Sequence, residues 1–320
     1  MGFYEDNTNS LARWRPVLKS LDGSVRGAQP VAFQSSFPAV RRPRISTETV
    51  TQAAKSVRLR REARIAIVWA SAAAIALAAW LAPPFAQPEG YHAFADQRSL
   101  LGIPNFADVT SNLGFLVVGV MGLCFVIRGT RRGGAIAFTD SSERWGWGIS
   151  FAAVALTCFG SAYYHWAPDS ARLAWDRLPM AIGFMSMMAA IVSERISTKA
   201  GVVLLLPLVV LGAASVWYWR WSAVHGIENL NFYGAVQFGA AFLIALMIAL
   251  FPARYTRSGD LLAAAVLYGL AKLAEHFDHE IFDATRRIVS GHTLKHLFSA
   301  LAVLWVLRML WLRKPTGAGP

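Results

Sequence analysis

Residues 289–297 read VSGHTLKHL and stand at the head of the last apolar run of the chain. The spacing places His292 and His296 four residues apart, so in a helix both imidazoles project from one face. The run behind them, to about residue 312, is long and apolar enough to predict a membrane helix. Two histidines one turn apart in such a helix need a partner, because an unpaired imidazole in hydrocarbon is costly. A metal ion is the first candidate.

Further up the chain, residues 160–177 read GSAYYHWAPDSARLAWDR. There Ser161 and His165 share a helix face, and Asp176 follows after a turn. Three histidines and an aspartate from three segments form a candidate donor set for one zinc ion.

Composition sets the class. The 320 residues are 55% hydrophobic and 16% charged, with a mean hydropathy of +0.40. That is too apolar for an ordinary soluble domain and too long for one span, so the chain reads as an all-α, polytopic membrane helix bundle. The net charge of +12 would point to nucleic acid in a soluble protein. Here the basic residues gather in short runs between apolar segments, which is the positive-inside pattern, and no nucleic-acid motif accompanies them. Cys124 and Cys158 lie in apolar runs without metal-ligand spacing and read as packing residues.

Hydropathy predicts eight spans: 65–82, 109–127, 145–164, 176–193, 201–219, 232–253, 261–274 and one from about 291. Residues 1–57, rich in Arg, Ser and Pro, read as a disordered basic tail. Arg58, Arg60, Arg61 and Arg64 before the first span, Arg128, Arg131 and Arg132 after the second, and Arg308, Arg313 and Lys314 at the end predict cytoplasmic N- and C-termini. His165, Asp176, His292 and His296 then fall at one depth near the outer face. Pro179 is expected in the first turn of the fourth span, where proline is tolerated. Lys272 and Lys295 are expected near membrane boundaries.

Three neutral histidines leave a fourth zinc position open, the arrangement of a catalytic rather than a structural site. Zinc acidifies a water and polarises a carbonyl. Asp176 would take the proton of that water and Ser161 would donate to the developing oxyanion. Together these are the parts of an amide or ester hydrolase.

The order S-x3-H, D after ten further residues, and a distant H-x3-H in the last span resembles the alkaline ceramidases. More widely it is similar to the superfamily that joins them to adiponectin receptors and GPI-anchor remodelling hydrolases. The resemblance covers about residues 105–312, and the segment FADVTSN, 106–112, is similar to the family's corresponding stretch. It implies a seven-helix zinc hydrolase core over 105–314, preceded by an additional span and outer loop, 58–104, and followed by a short tail, 315–320. It further implies a zinc held by His165, His292 and His296, with Asp176 and Ser161 catalytic and a ceramide-like membrane lipid cleaved at its N-acyl amide. The calcium-binding acids of animal members are poorly reproduced. Asn105 stands where an acid is expected, and only Asp96 and Asp108 lie nearby, so the resemblance does not extend to calcium regulation.

Several readings compete with these. The histidine pair alone would also suit helix packing, and Ser161 alone would suit a bond to its own backbone. Asn112 is either a group supporting the metal ligands or a packing amide. Glu275, His276, Asp278, His279, Glu280 and Asp283 read as an exposed loop of paired charges or as a second metal site. His92 and His225 receive no role. For the protein as a whole the alternatives are a lipid esterase on the same scaffold, or a non-enzymatic receptor or bis-histidine haem carrier. A bacterial inner membrane with the site facing the periplasm, or a lumenal face elsewhere, completes the expectation.

Overall fold

A computed structural model describes residues 47–129 and 137–317, and every described element of regular structure is a helix. Contacts divide the chain after Gln52, and the helical bundle belongs to the unit Ala53–Pro320. In order the helices are α1 (Thr47–Leu81), α2 (Phe106–Thr110), α3 (Leu113–Arg128), α4 (Arg144–Trp166) and α5 (Ser170–Arg195). They continue with α6 (Thr198–Val224), α7 (Asn231–Leu250), α8 (Asp260–His276), α9 (Asp278–Ala284) and α10 (Gly291–Leu312).

Helices occupy all eight expected places, and six are long and apolar enough to cross a membrane. The protein is thus a multi-pass helical membrane bundle. Of the other two, α8 has only 17 residues, and α5 carries Asp176, Arg177, Glu194 and Arg195, all buried. Those charges face protein rather than lipid, which is how a membrane helix tolerates them. In the second span the helix breaks at Ser111 and Asn112 between α2 and α3.

Two boundaries differ from expectation. The expected tail extends to residue 57, yet α1 begins at Thr47. Its first turns read TETVTQAAKSV over 47–57, mainly polar residues without an apolar stripe, so polarity hides the helix. The rest of the expected tail, 1–46, lies outside the described residues. α5 begins six residues before the predicted 176, because the Asp169 side chain accepts the Arg172 amide at 2.8 Å as an N-cap. Pro179 therefore sits well inside the helix rather than in its first turn.

That proline matters for the site. Without an N–H it leaves the Trp175 carbonyl unclaimed within the helix, and this carbonyl faces Gly160 of α4, where a Cβ would collide with it. The missing side chain lets α4 and α5 touch backbone to backbone beside Ser161 and Asp176. Gly291 does the same for α10, since a Cβ there would collide with the Ala274 carbonyl and lie 2.7 Å from the Asp278 Cα.

Candidate metal centre

His165 lies in the last turn of α4 and is fully buried. His292 and His296 lie on the first two turns of α10, at 4% and 1% exposure. The three rings surround one point, with centroids 4.7, 5.0 and 4.9 Å apart. One ligand nitrogen from each can be chosen so that all lie within 4.8 Å of one another. The Nε2 atoms of His165 and His292 are 3.2 Å apart, close to the ~3.3 Å edge of a tetrahedron with metal–nitrogen bonds of about 2.0–2.1 Å.

The donor set passes a second test. His296 Nε2 is buried without a hydrogen-bond partner, a costly condition unless something else takes the lone pair. On His296 the other nitrogen, Nδ1, is held by the Ser111 hydroxyl at 2.8 Å. Such an outer contact fixes the orientation of a ligating imidazole. This group could hold a metal ion, and no other His, Cys, Asp or Glu group among the described residues has the required spacing.

The helix starts explain why the histidines stand where they do. Ser290 caps α10 by accepting the Thr293 amide at 3.0 Å, while Asp278 accepts the His292 amide at 2.7 Å. Asp108 then receives the Ser290 and Thr293 hydroxyls at 3.2 and 2.7 Å, tying α2 to α10. Asn105 donates to the His165 carbonyl at 2.8 Å and so closes the end of α4. Phe94, from the strap between α1 and α2, lays its ring 4.7 Å from His165 and 4.5 Å from His292. In the same strap the Arg98 guanidinium, hydrogen-bonded to Asp96 at 2.6 Å, holds that carboxyl below the usual carboxylate range.

No protein-family model and no curated protein matches this chain. The chemistry of the site therefore rests on its own residues.

Ser161 and Asp176 are buried at 1% and 6% exposure, and the serine hydroxyl interacts with the carboxylate. Both line a cavity of about 1200 Å³ that His296 also reaches. Asn112 is fully buried, but its amide donates to the Asp108 carbonyl at 2.7 Å, and it is the neighbouring Ser111 that touches a histidine.

Lys295 departs most from expectation. Its ammonium lies 2.9 Å from His292 Nε2 and 3.1 Å from Glu275 Oε1, while Lys272 takes the other oxygen of Glu275 at 2.7 Å. Both lysines line the cavity. The expected exposed loop at 275–283 is helical, with Asp278 buried and Glu275 in the lysine pair; His276, His279, Glu280 and Asp283 are not buried. His92 is also engaged, 2.9 Å from the Tyr164 hydroxyl and 3.2 Å from that of Ser170.

Proposed function

We propose that the protein is a zinc-dependent intramembrane hydrolase that cleaves the N-acyl amide of a ceramide-like lipid. The observation that carries this reading is that the buried group of three histidines reaches, through His296, the same large, mainly apolar cavity that Asp176 and Ser161 line. A volume of about 1200 Å³ suits a long-chain lipid and exceeds the few hundred Å³ of a small polar substrate site. The cavity runs between α7 and α8, which do not pack closely along their lengths. Gln237 Nε2 and the Tyr268 hydroxyl bridge them at 3.0 Å. Acyl chains can therefore lie among the helices while the amide reaches the polar end.

His165, His292 and His296 would hold the zinc. When bound, zinc would acidify a water at neutral pH and polarise the substrate carbonyl. Asp176 accepts the proton of the attacking water and passes it to the departing nitrogen, so the C–N bond breaks without release of an amide anion. The Ser161 hydroxyl donates to the carbonyl oxygen as negative charge develops there. Phe94 covers two of the histidine rings and excludes water from that side. The apolar wall keeps the lipid tails fixed while the carbonyl turns toward the histidines.

The positive-inside pattern orients the chain with its N- and C-termini in the cytoplasm and the site toward the outer leaflet. Incubation of the purified, zinc-loaded protein with N-acylsphingosine and, separately, with a phospholipid ester tests the reading. Fatty acid released from the amide and suppressed by a zinc chelator is the expected result. Both lipids remaining intact with monodisperse, zinc-loaded protein would overturn it.

A further inference from the structure

Arg177 follows the candidate base Asp176 and is 6% exposed. Its guanidinium lies over three rings, with Cζ 5.3 Å from the Tyr91 centroid, 4.4 Å from Trp219 and 4.9 Å from Tyr233. Aromatic faces stabilise the cation, but they do not accept the N–H groups in the guanidinium plane. Of those, one on Nη2 goes to Gln87 Oε1 at 2.5 Å, and Nη1 is buried without a hydrogen-bond partner. The residue lines the lipid cavity. The protein supplies no acceptor for that N–H, and the cavity is the space beside the residue from which one can come.

The rest of the polar end does not offset this charge. Arg177, Lys272 and Lys295 line the cavity against Asp176 and Glu275, and among the described residues no other Asp, Glu, Lys or Arg does. Glu275 is shared by the two lysines and its Oε1 lies 3.5 Å from the Tyr91 hydroxyl. The two lysines are balanced by the two carboxylates, and the one excess cation is Arg177. A single carboxylate neutralises it, fits the guanidinium fork, and costs less to desolvate than a phosphate dianion.

We propose that Arg177 forms a subsite for the carboxylate of a long-chain acyl lipid in this cavity. The subsite rests on the cavity being the lipid site of the proposed hydrolase. Its ligand is either the acidic head group of the amide substrate or the fatty acid that hydrolysis releases.

Two non-hydrolysable probes separate the subsite from catalysis. Equilibrium binding of palmitate and of hexadecanol to zinc-loaded protein should differ by at least about tenfold in favour of palmitate, the weight of one hydrogen bond to a charged group. Arg177→Gln should bring the two within about twofold. Equal binding by the wild type overturns the proposal, and so does a preference that survives Arg177→Gln, which would place the anion on the metal instead. If Arg177→Gln does not yield monodisperse, zinc-loaded protein, Arg177→Lys decides: a preference reduced severalfold supports the fork, and an undiminished one overturns it. The source of the carboxylate comes from kcat/KM for N-palmitoylglycine against N-palmitoylethanolamine. A glycine preference lost in Arg177→Gln assigns the head group, and no preference assigns the released acid. Failure to hydrolyse N-acylsphingosine as well as these two amides, with the palmitate preference intact, sinks the hydrolase reading and leaves the subsite standing.

Discussion

Asp176 and Ser161 divide the proposed chemistry in a way that single substitutions can separate. Asp176→Asn keeps the size of the side chain and lies outside the histidine group, so zinc content should stay near wild type while turnover falls about 10²–10⁴-fold with the loss of the base. Ser161→Ala should cost less, about 10²-fold, as one oxyanion donor is removed. Initial rates of fatty acid release, read beside zinc content on the same preparations, check both, and wild-type turnover in Asp176→Asn would remove it from the mechanism. These residues are legible in the sequence because their spacing is local: i, i+4 pairs and a short turn to Asp176. Ser111 and Lys295 are not. Lys295 lies between the two histidines of α10, yet whether its ammonium turns to the interface or inward depends on Glu275, twenty residues away and on another helix. Arg177 likewise owes its setting to rings from the strap, α6 and α7.

At the scale of elements, close helix contact positions the site, and the glycines bear that contact. Gly291→Ala would push a methyl into the Ala274 carbonyl, so α10 must shift at a cost of about 1–3 kcal/mol. A lowered thermal midpoint and weakened zinc retention should occur together, because His292 is the next residue. At the other end of the bundle Glu194 takes the Arg313 guanidinium at 2.5 Å and the Trp147 indole at 2.8 Å, all nearly buried. Removing one partner of such a pair strands the other charge. Glu194→Gln should therefore cost about 3–5 kcal/mol, and Glu194→Leu combined with Arg313→Met should recover most of it. Thermal unfolding of the single and double variants checks this, and additive losses would show that the two residues act independently. Hydropathy locates the spans but misplaces the start of α5. The Pro179 signal for a helix start and the polar first turns mislead, whereas the Asp169 cap is the better marker.

Among the described residues the bundle has two polar poles separated by an apolar middle. The histidines, Lys272, Glu275 and Lys295 occupy one, and Glu143, Glu194, Arg254 and Arg313 the other. In the proposed orientation the second pole lies on the cytoplasmic side. In a Cys124→Ser background, cysteines at Glu89 and Ser141, both exposed, should react with an impermeant reagent from outside and inside respectively, and the reverse pattern would invert the membrane orientation. The helical membrane class is legible from composition alone. The lipid-sized cavity is not, because it arises from the gap between α7 and α8, which no single segment encodes. The most direct test of the proposed centre is metal content per chain by elemental analysis of detergent-purified protein. One zinc in the wild type, retained in Asp176→Asn and lost in each of His165→Ala, His292→Ala and His296→Ala, is the predicted result. Full zinc occupancy in His292→Ala, or none in the wild type, would contradict a centre built from these three histidines.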